Sequence, residues 1–161
     1  MKALRVRHQV RWGLSLMLLG WLMPTALFAQ SSYTWTGGGD GTSWNNSNNW
    51  NPNGVPNGTT VDVIFPSVSP TLTNIPVNTQ VRDFTLSGTS NVTLNGDLNI
   101  GRNLSVPNGC TFTAASGTTV KLNGNSVTQD IGGAGTTQFH NLTIEKLGSD
   151  VQTTIVSLST V

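Results

Sequence analysis

Asn91-Val92-Thr93-Leu94-Asn95-Gly96-Asp97-Leu98-Asn99-Ile100-Gly101-Arg102-Asn103-Leu104-Ser105-Val106 is the stretch that decides the fold. Val92, Leu94, Leu98, Ile100, Leu104 and Val106 all occupy even positions, with polar residues between them. A period of two describes strands with one buried face. Asn95-Gly96 in the middle would ordinarily signal a two-residue hairpin. That hairpin would set Leu94 opposite Asp97 and Thr93 opposite Leu98, mixing apolar and polar residues on both faces. Asn108-Gly109 fails in the same way, because Val106 would meet Thr111 and Ser105 would meet Phe112. Asn123-Gly124 does not decide, since Val120 would meet Val127. A parallel β-solenoid removes the conflict: the chain turns corners without reversing, and side chains keep alternating. Asn and Gly suit corners because both tolerate left-handed backbone.

The parity extends outward. Phe112, Val120 and Leu122 continue it, and Leu142 and Ile144 take it up again. Phe84-Thr85-Leu86, Leu104-Ser105-Val106, Val120-Lys121-Leu122 and Leu142-Thr143-Ile144 serve as irregularly spaced repeats, which predicts about four coils between Val81 and Val161. No helical period is present beyond residue 29, so the expected class is all-β. The alternative architecture is an antiparallel β-sandwich of the same composition.

Composition agrees with the pattern. Only 9% of the 161 residues are charged, against a usual figure of about 25%. From Gln30 onward more than half the residues are Asn, Thr, Gly or Ser. Lys2, Arg5, Arg7 and Arg11 account for half the bases, and all seven acids lie beyond residue 39. Without the N-terminal segment the chain has three more acids than bases, which argues against a nucleic-acid surface. Residues 1–29 have the basic start, the apolar run from Trp12 to Leu22 and the small-residue end of a secretory signal peptide. That run is shorter than the ~20 residues of a membrane span. The domain division is therefore a signal peptide at 1–29, a Trp-rich cap region at 30–80, and solenoid coils at 81–161.

Residues 33–66 contain Trp35, Trp44 and Trp50 among glycines and asparagines. A solenoid end exposes apolar core and unpaired strand edge, so a cap is required there. Tyr33-Thr34-Trp35-Thr36-Gly37, Ser43-Trp44, Asn49-Trp50, Val55-Pro56 and Asp62-Val63-Ile64-Phe65 resemble the N-terminal module of large secreted bacterial repeat proteins. These include Bacteroidetes surface proteins and autotransporter- or adhesin-like proteins. Gly117-Thr118-Thr119-Val120-Lys121-Leu122-Asn123-Gly124, Gln129-Asp130-Ile131-Gly132-Gly133 and Phe139-His140-Asn141-Leu142-Thr143-Ile144 are similar to their repeats. The resemblance implies a right-handed β-solenoid at the bacterial cell surface, and it supplies no catalytic residue. Family members are usually far longer. Ile155-Val156-Ser157-Leu158-Ser159-Thr160-Val161 ends the sequence in strand-like alternation, which predicts an unfinished stack.

Few residues suggest chemistry. Trp35, Trp44 and Trp50 are candidate sugar-stacking platforms, with packing inside the cap as the competing reading. Asp40 with Asn45, Asn46 and Asn48 matches no calcium loop and reads as turn chemistry. Gly37-Gly38-Gly39 and Gly132-Gly133 lack the surroundings of a phosphate loop. Cys110, the only cysteine, is expected to be a small buried residue. Asp83 and Glu145 sit beside Arg82 and Lys146 as solvated charge, and no carboxylate pair recurs as glycoside hydrolysis requires. A Ser-His-Asp arrangement would rest on His140 alone, which is expected to point outward. The expected function is a non-catalytic, secreted or cell-surface stalk or scaffold of adhesin-like type. No cofactor, metal or nucleic acid is expected, and surface glycans or host surfaces are the expected partners. The alternative is a carbohydrate-binding or carbohydrate-processing β-helix module.

Overall fold

The computed structural model describes residues 30–124 and 128–145. The signal-peptide assignment at 1–29 and the alternating C-terminal end at 155–161 lie outside these residues. The strands are β1 (Ser31–Trp35), β2 (Trp50–Asn51), β3 (Val61–Pro66), β4 (Thr71–Leu72), β5 (Gln80–Val81), β6 (Asp83–Ser87) and β7 (Asn91–Leu94). They continue with β8 (Leu98–Ile100), β9 (Asn103–Ser105), β10 (Thr111–Ala114), β11 (Thr119–Leu122), β12 (Asp130–Gly132), β13 (Thr136–Gln138) and β14 (Asn141–Ile144). The one helical piece among the described residues is a single 3-10 turn, Ser47–Asn49.

The chain is a parallel β-solenoid of about four turns. Each coil contributes one strand to each of three sheets. Sheet A has the order β12-β9-β6-β3-β1-β2, sheet C the order β13-β10-β7-β4, and sheet D the order β14-β11-β8-β5. All pairs are parallel except β1–β2. The strands flanking Asn95-Gly96 belong to different sheets, so the antiparallel sandwich is excluded. The backbone ladder also continues through corners, as in Arg102 N–H donating to Arg82 O at 2.7 Å.

Even-numbered Val92, Leu94, Leu98, Ile100, Leu104, Val106, Phe112, Val120 and Leu122 all point inward and are buried. Leu142 is half-buried and Ile144 is 42% exposed, because they lie on the outermost described coil. Two expectations need correction. The first coil starts at Val61 rather than Val81: β3, β4 and β5 stack beneath β6, β7 and β8. In β3 the inward residues are the odd-numbered Val61, Val63 and Phe65, so the downstream parity does not reveal it. Leu104 and Val120 are also not one coil apart, because β9 and β11 lie in the same coil on different sheets. True partners are Phe84↔Leu104 and Leu98↔Val120, separated by twenty and twenty-two residues.

The last step is longer. Leu104 pairs with Ile131, twenty-seven residues on, because seven residues separate β11 from β12 where two separate β8 from β9. Shorter corners afterwards bring the step back to twenty-two at Val120↔Leu142. Gly133 and Gly135 make this possible. A Cβ at Gly133 would strike Val106 O, and one at Gly135 would strike Pro107 O. Only a residue without a side chain lets the backbones approach this closely.

Candidate functional site

The N-terminal segment forms a cap that meets all three sheet edges of the first coil. β1 pairs with β3 on sheet A. Ser43 bridges Thr73 beside β4, with Trp44 N–H donating to Thr73 O at 2.8 Å. Gly58 N–H donates to Gln80 O at 2.7 Å on β5, and Asn57 Oδ1 accepts from Gln80 N–H at 2.9 Å. β2 then pairs antiparallel on the outside of β1. Edge strands invite pairing with other chains, and a folded cap blocks that growth.

The interior of the cap is filled by its indoles. Trp35, Trp44 and Trp50 are 3%, 0% and 1% exposed. Trp50 packs edge-on against both Trp35 and Trp44, with centroids 4.9 Å apart in each pair. Trp44 Nε1 donates to Pro56 O, and Trp50 Nε1 donates to Trp44 O. Trp35 begins an aromatic column that runs through Phe65, Phe84 and Phe112 to Phe139. The sugar-platform reading of these tryptophans is therefore corrected: buried rings offer no face to a ligand. The open end of a coil stack must be filled by bulky apolar groups, and the indoles fill it.

Asn49 holds the cap loop in shape and is fully buried. Its Oδ1 accepts from the Gly39 and Gly41 N–H groups, and its Nδ2 donates to Ser43 O and Asp40 Oδ1. Asp40 Oδ1 also accepts from the Ser43 and Thr42 N–H groups. These bonds, led by Ser43 and then Thr42, hold the Asp40 carboxyl well below the usual carboxylate range. Asn46 caps the 3-10 turn, and Asn45 accepts from Ser43 Oγ. The asparagines beside Asp40 thus serve turns. Nothing in their spacing marks Asn49 as the buried one.

The other sequence candidates are scattered. Cys110 is buried at the corner before β10, with its Sγ donating to Gly88 O of the preceding coil at 3.5 Å. His140 is exposed, with Nε2 at 3.4 Å from Ser116 Oγ. Asp83 pairs with Arg82 at 3.1 Å, and Arg82 also pairs with Asp62 at 2.6 Å. Glu145 pairs with Lys121 of the neighbouring coil at 3.0 Å. Among the described residues no three His, Cys, Asp or Glu side chains converge as a metal site would need. No described helix is long and apolar enough to cross a membrane.

One surface hollow lies over the outer face of sheet D, with a volume of about 560 Å³. Its floor is Asp97, Asn99, Thr119, Lys121 and Thr143, and its wall is the segment from Ile75 to Asn78. The sequence hints at this wall only by being longest there: residues 73–79 separate β4 from β5, whereas 95–97 suffice between β7 and β8. Compared with protein-family models, with curated proteins and with solved structures, the chain matches none.

Proposed function

We propose that this chain is a secreted or cell-surface structural protein of adhesin-like type, a non-catalytic β-stalk or scaffold. The observation that carries the reading is the cap: one end of the coil stack is closed on all three sheet edges and plugged by tryptophan. A stack closed at one end and repeating coil by coil is suited to hold other regions at a distance. Each coil contacts its neighbours, so stiffness accumulates along one axis. The outer faces support the same reading, since Thr, Asn and Ser dominate them and keep them nearly neutral. The basic, apolar N-terminal segment supports export, and the resemblance to Bacteroidetes and autotransporter-like repeat modules supports a place at the cell surface.

Fractionation of bacteria producing the full chain tests the reading. The expected outcome is surface-accessible protein whose N-terminus, read by Edman sequencing, is Gln30. Cytoplasmic protein that retains residues 1–29 would refute export. Turnover of a polysaccharide by the purified chain would refute the non-catalytic role.

A further inference from the structure

We propose that the hollow over sheet D is a binding site for a neutral oligosaccharide, laid along the solenoid axis. This goes beyond the scaffold reading and does not depend on it. The floor is built by register. Asn99, Lys121 and Thr143 are direct partners on three successive coils. They therefore form a polar column with a step of about 4.8 Å. Asp97 and Thr119 lie beside it, joined by the Thr119 N–H bond to Asp97 Oδ1 at 2.7 Å. An amide, a hydroxyl, a carboxylate and an ammonium group thus face one hollow, whose volume is within the ~300–1,000 Å³ of small-ligand sites.

The wall is apolar and fixed. Thr79 donates to Pro76 O through both its N–H, at 3.1 Å, and its Oγ1, at 2.7 Å. Asn78, the third residue of this turn, takes left-handed backbone (φ 61°), which asparagine tolerates, and Pro76 restricts its own φ. On one side of the tip Ile75 packs against the core, and on the other Thr79 is buried. Val77 is held between these anchors at 89% exposure. A lone exposed valine is ordinary. This one stands on a pinned turn beside a polar column three coils long. A pyranose presents the matching chemistry, with C–H groups for Pro76 and Val77 and hydroxyls for the floor.

Charge and backbone decide against anions and extended peptides. Lys121 is paired with Glu145, and Asp97 adds a second carboxylate, so the site disfavours anions. An extended peptide binds by adding to a free sheet edge. The hollow lies over the face of sheet D, where β8 and β11 already pair on both sides.

The test is a printed array of neutral and acidic oligosaccharides and extended peptides probed with the full chain, followed by calorimetric titration of the oligosaccharides retained. Neutral oligosaccharides are expected to bind. Val77→Asp is expected to weaken them about tenfold or more, and Asn99→Ala about fivefold. Thr136→Asp, on the outer face of sheet C, is expected to leave binding unchanged. Far-ultraviolet circular dichroism checks that each variant keeps its fold. Retention of no neutral oligosaccharide, or of acidic ones or peptides alone, overturns the proposal. Undiminished binding in both folded sheet-D variants overturns it as well.

Discussion

Replacing Asn49 should open the cap while leaving the coils largely formed. Asn49→Ala removes an amide that satisfies the Gly39 and Gly41 N–H groups, Ser43 O and Asp40 Oδ1. The bond to Ser43 O is buried and the other three are partly buried. One buried carbonyl left unpaired costs about 1–3 kcal/mol, and each partly hydrated bond about 0.5–1.5 kcal/mol. Their sum centres on about 5 kcal/mol, a large share of the ~5–15 kcal/mol that holds a typical domain together. Asn49→Asp should also be harmful, because it sets a second carboxylate against Asp40 Oδ1 and Ser43 O. From Gln30 onward the only indoles are Trp35, Trp44 and Trp50, so tryptophan fluorescence of the chain lacking residues 1–29 reports the cap. Far-ultraviolet circular dichroism reports the coils. In a urea titration the fluorescence midpoint of Asn49→Ala should fall well below the dichroism midpoint. A loss under about 1 kcal/mol by fluorescence would refute the reasoning, since a single ordinary hydrogen bond is worth that much.

Asp40 should make the cap sensitive to acid. Its folded pKa lies below its unfolded value of about 3.9, so its contribution is complete above that pH and is lost as pH falls toward the folded value. Acid titration followed by fluorescence should show this loss below about pH 4, and Asp40→Asn should flatten it. Phe84 is fully buried, 4.9 Å from Phe65 and 5.4 Å from Phe112. Phe84→Ala should cost about 4 kcal/mol in chemical denaturation, while half-buried Phe139→Ala should cost about 1–2 kcal/mol; equal losses would contradict the aromatic column. Gly133→Ala should cost at least about 2 kcal/mol, because its Cβ would strike Val106 O in a left-handed backbone. A melting temperature unchanged from the native chain would show that the last corner is not so tightly placed.

Much of the architecture is legible from side-chain spacing. The mismatch of Leu94 with Asp97 rules out a hairpin at Asn95-Gly96, and the structure puts β7 and β8 on different sheets. The need for a cap at the tryptophan-rich end is legible too. The beginning of the stack is less so, because β4 and β5 have two residues each and the inward parity changes at the corners. The floor of the hollow over sheet D is not legible. Asn99, Lys121 and Thr143 become neighbours only through strand register.

The sequence alone determines the alternation, and hence the all-β class, the inward apolar set and the refusal of simple hairpins. Those properties follow from a local rule: adjacent side chains on a strand point to opposite faces. Which coil rests on which is decided by the tertiary structure. The corner between sheet D and sheet A is one residue after β5, two after β8 and seven after β11, so no fixed spacing predicts the partners. The same long-range register turns Trp35, Trp44 and Trp50 inward, gives Glu145 to Lys121, and brings Val77 beside a polar column from three other coils.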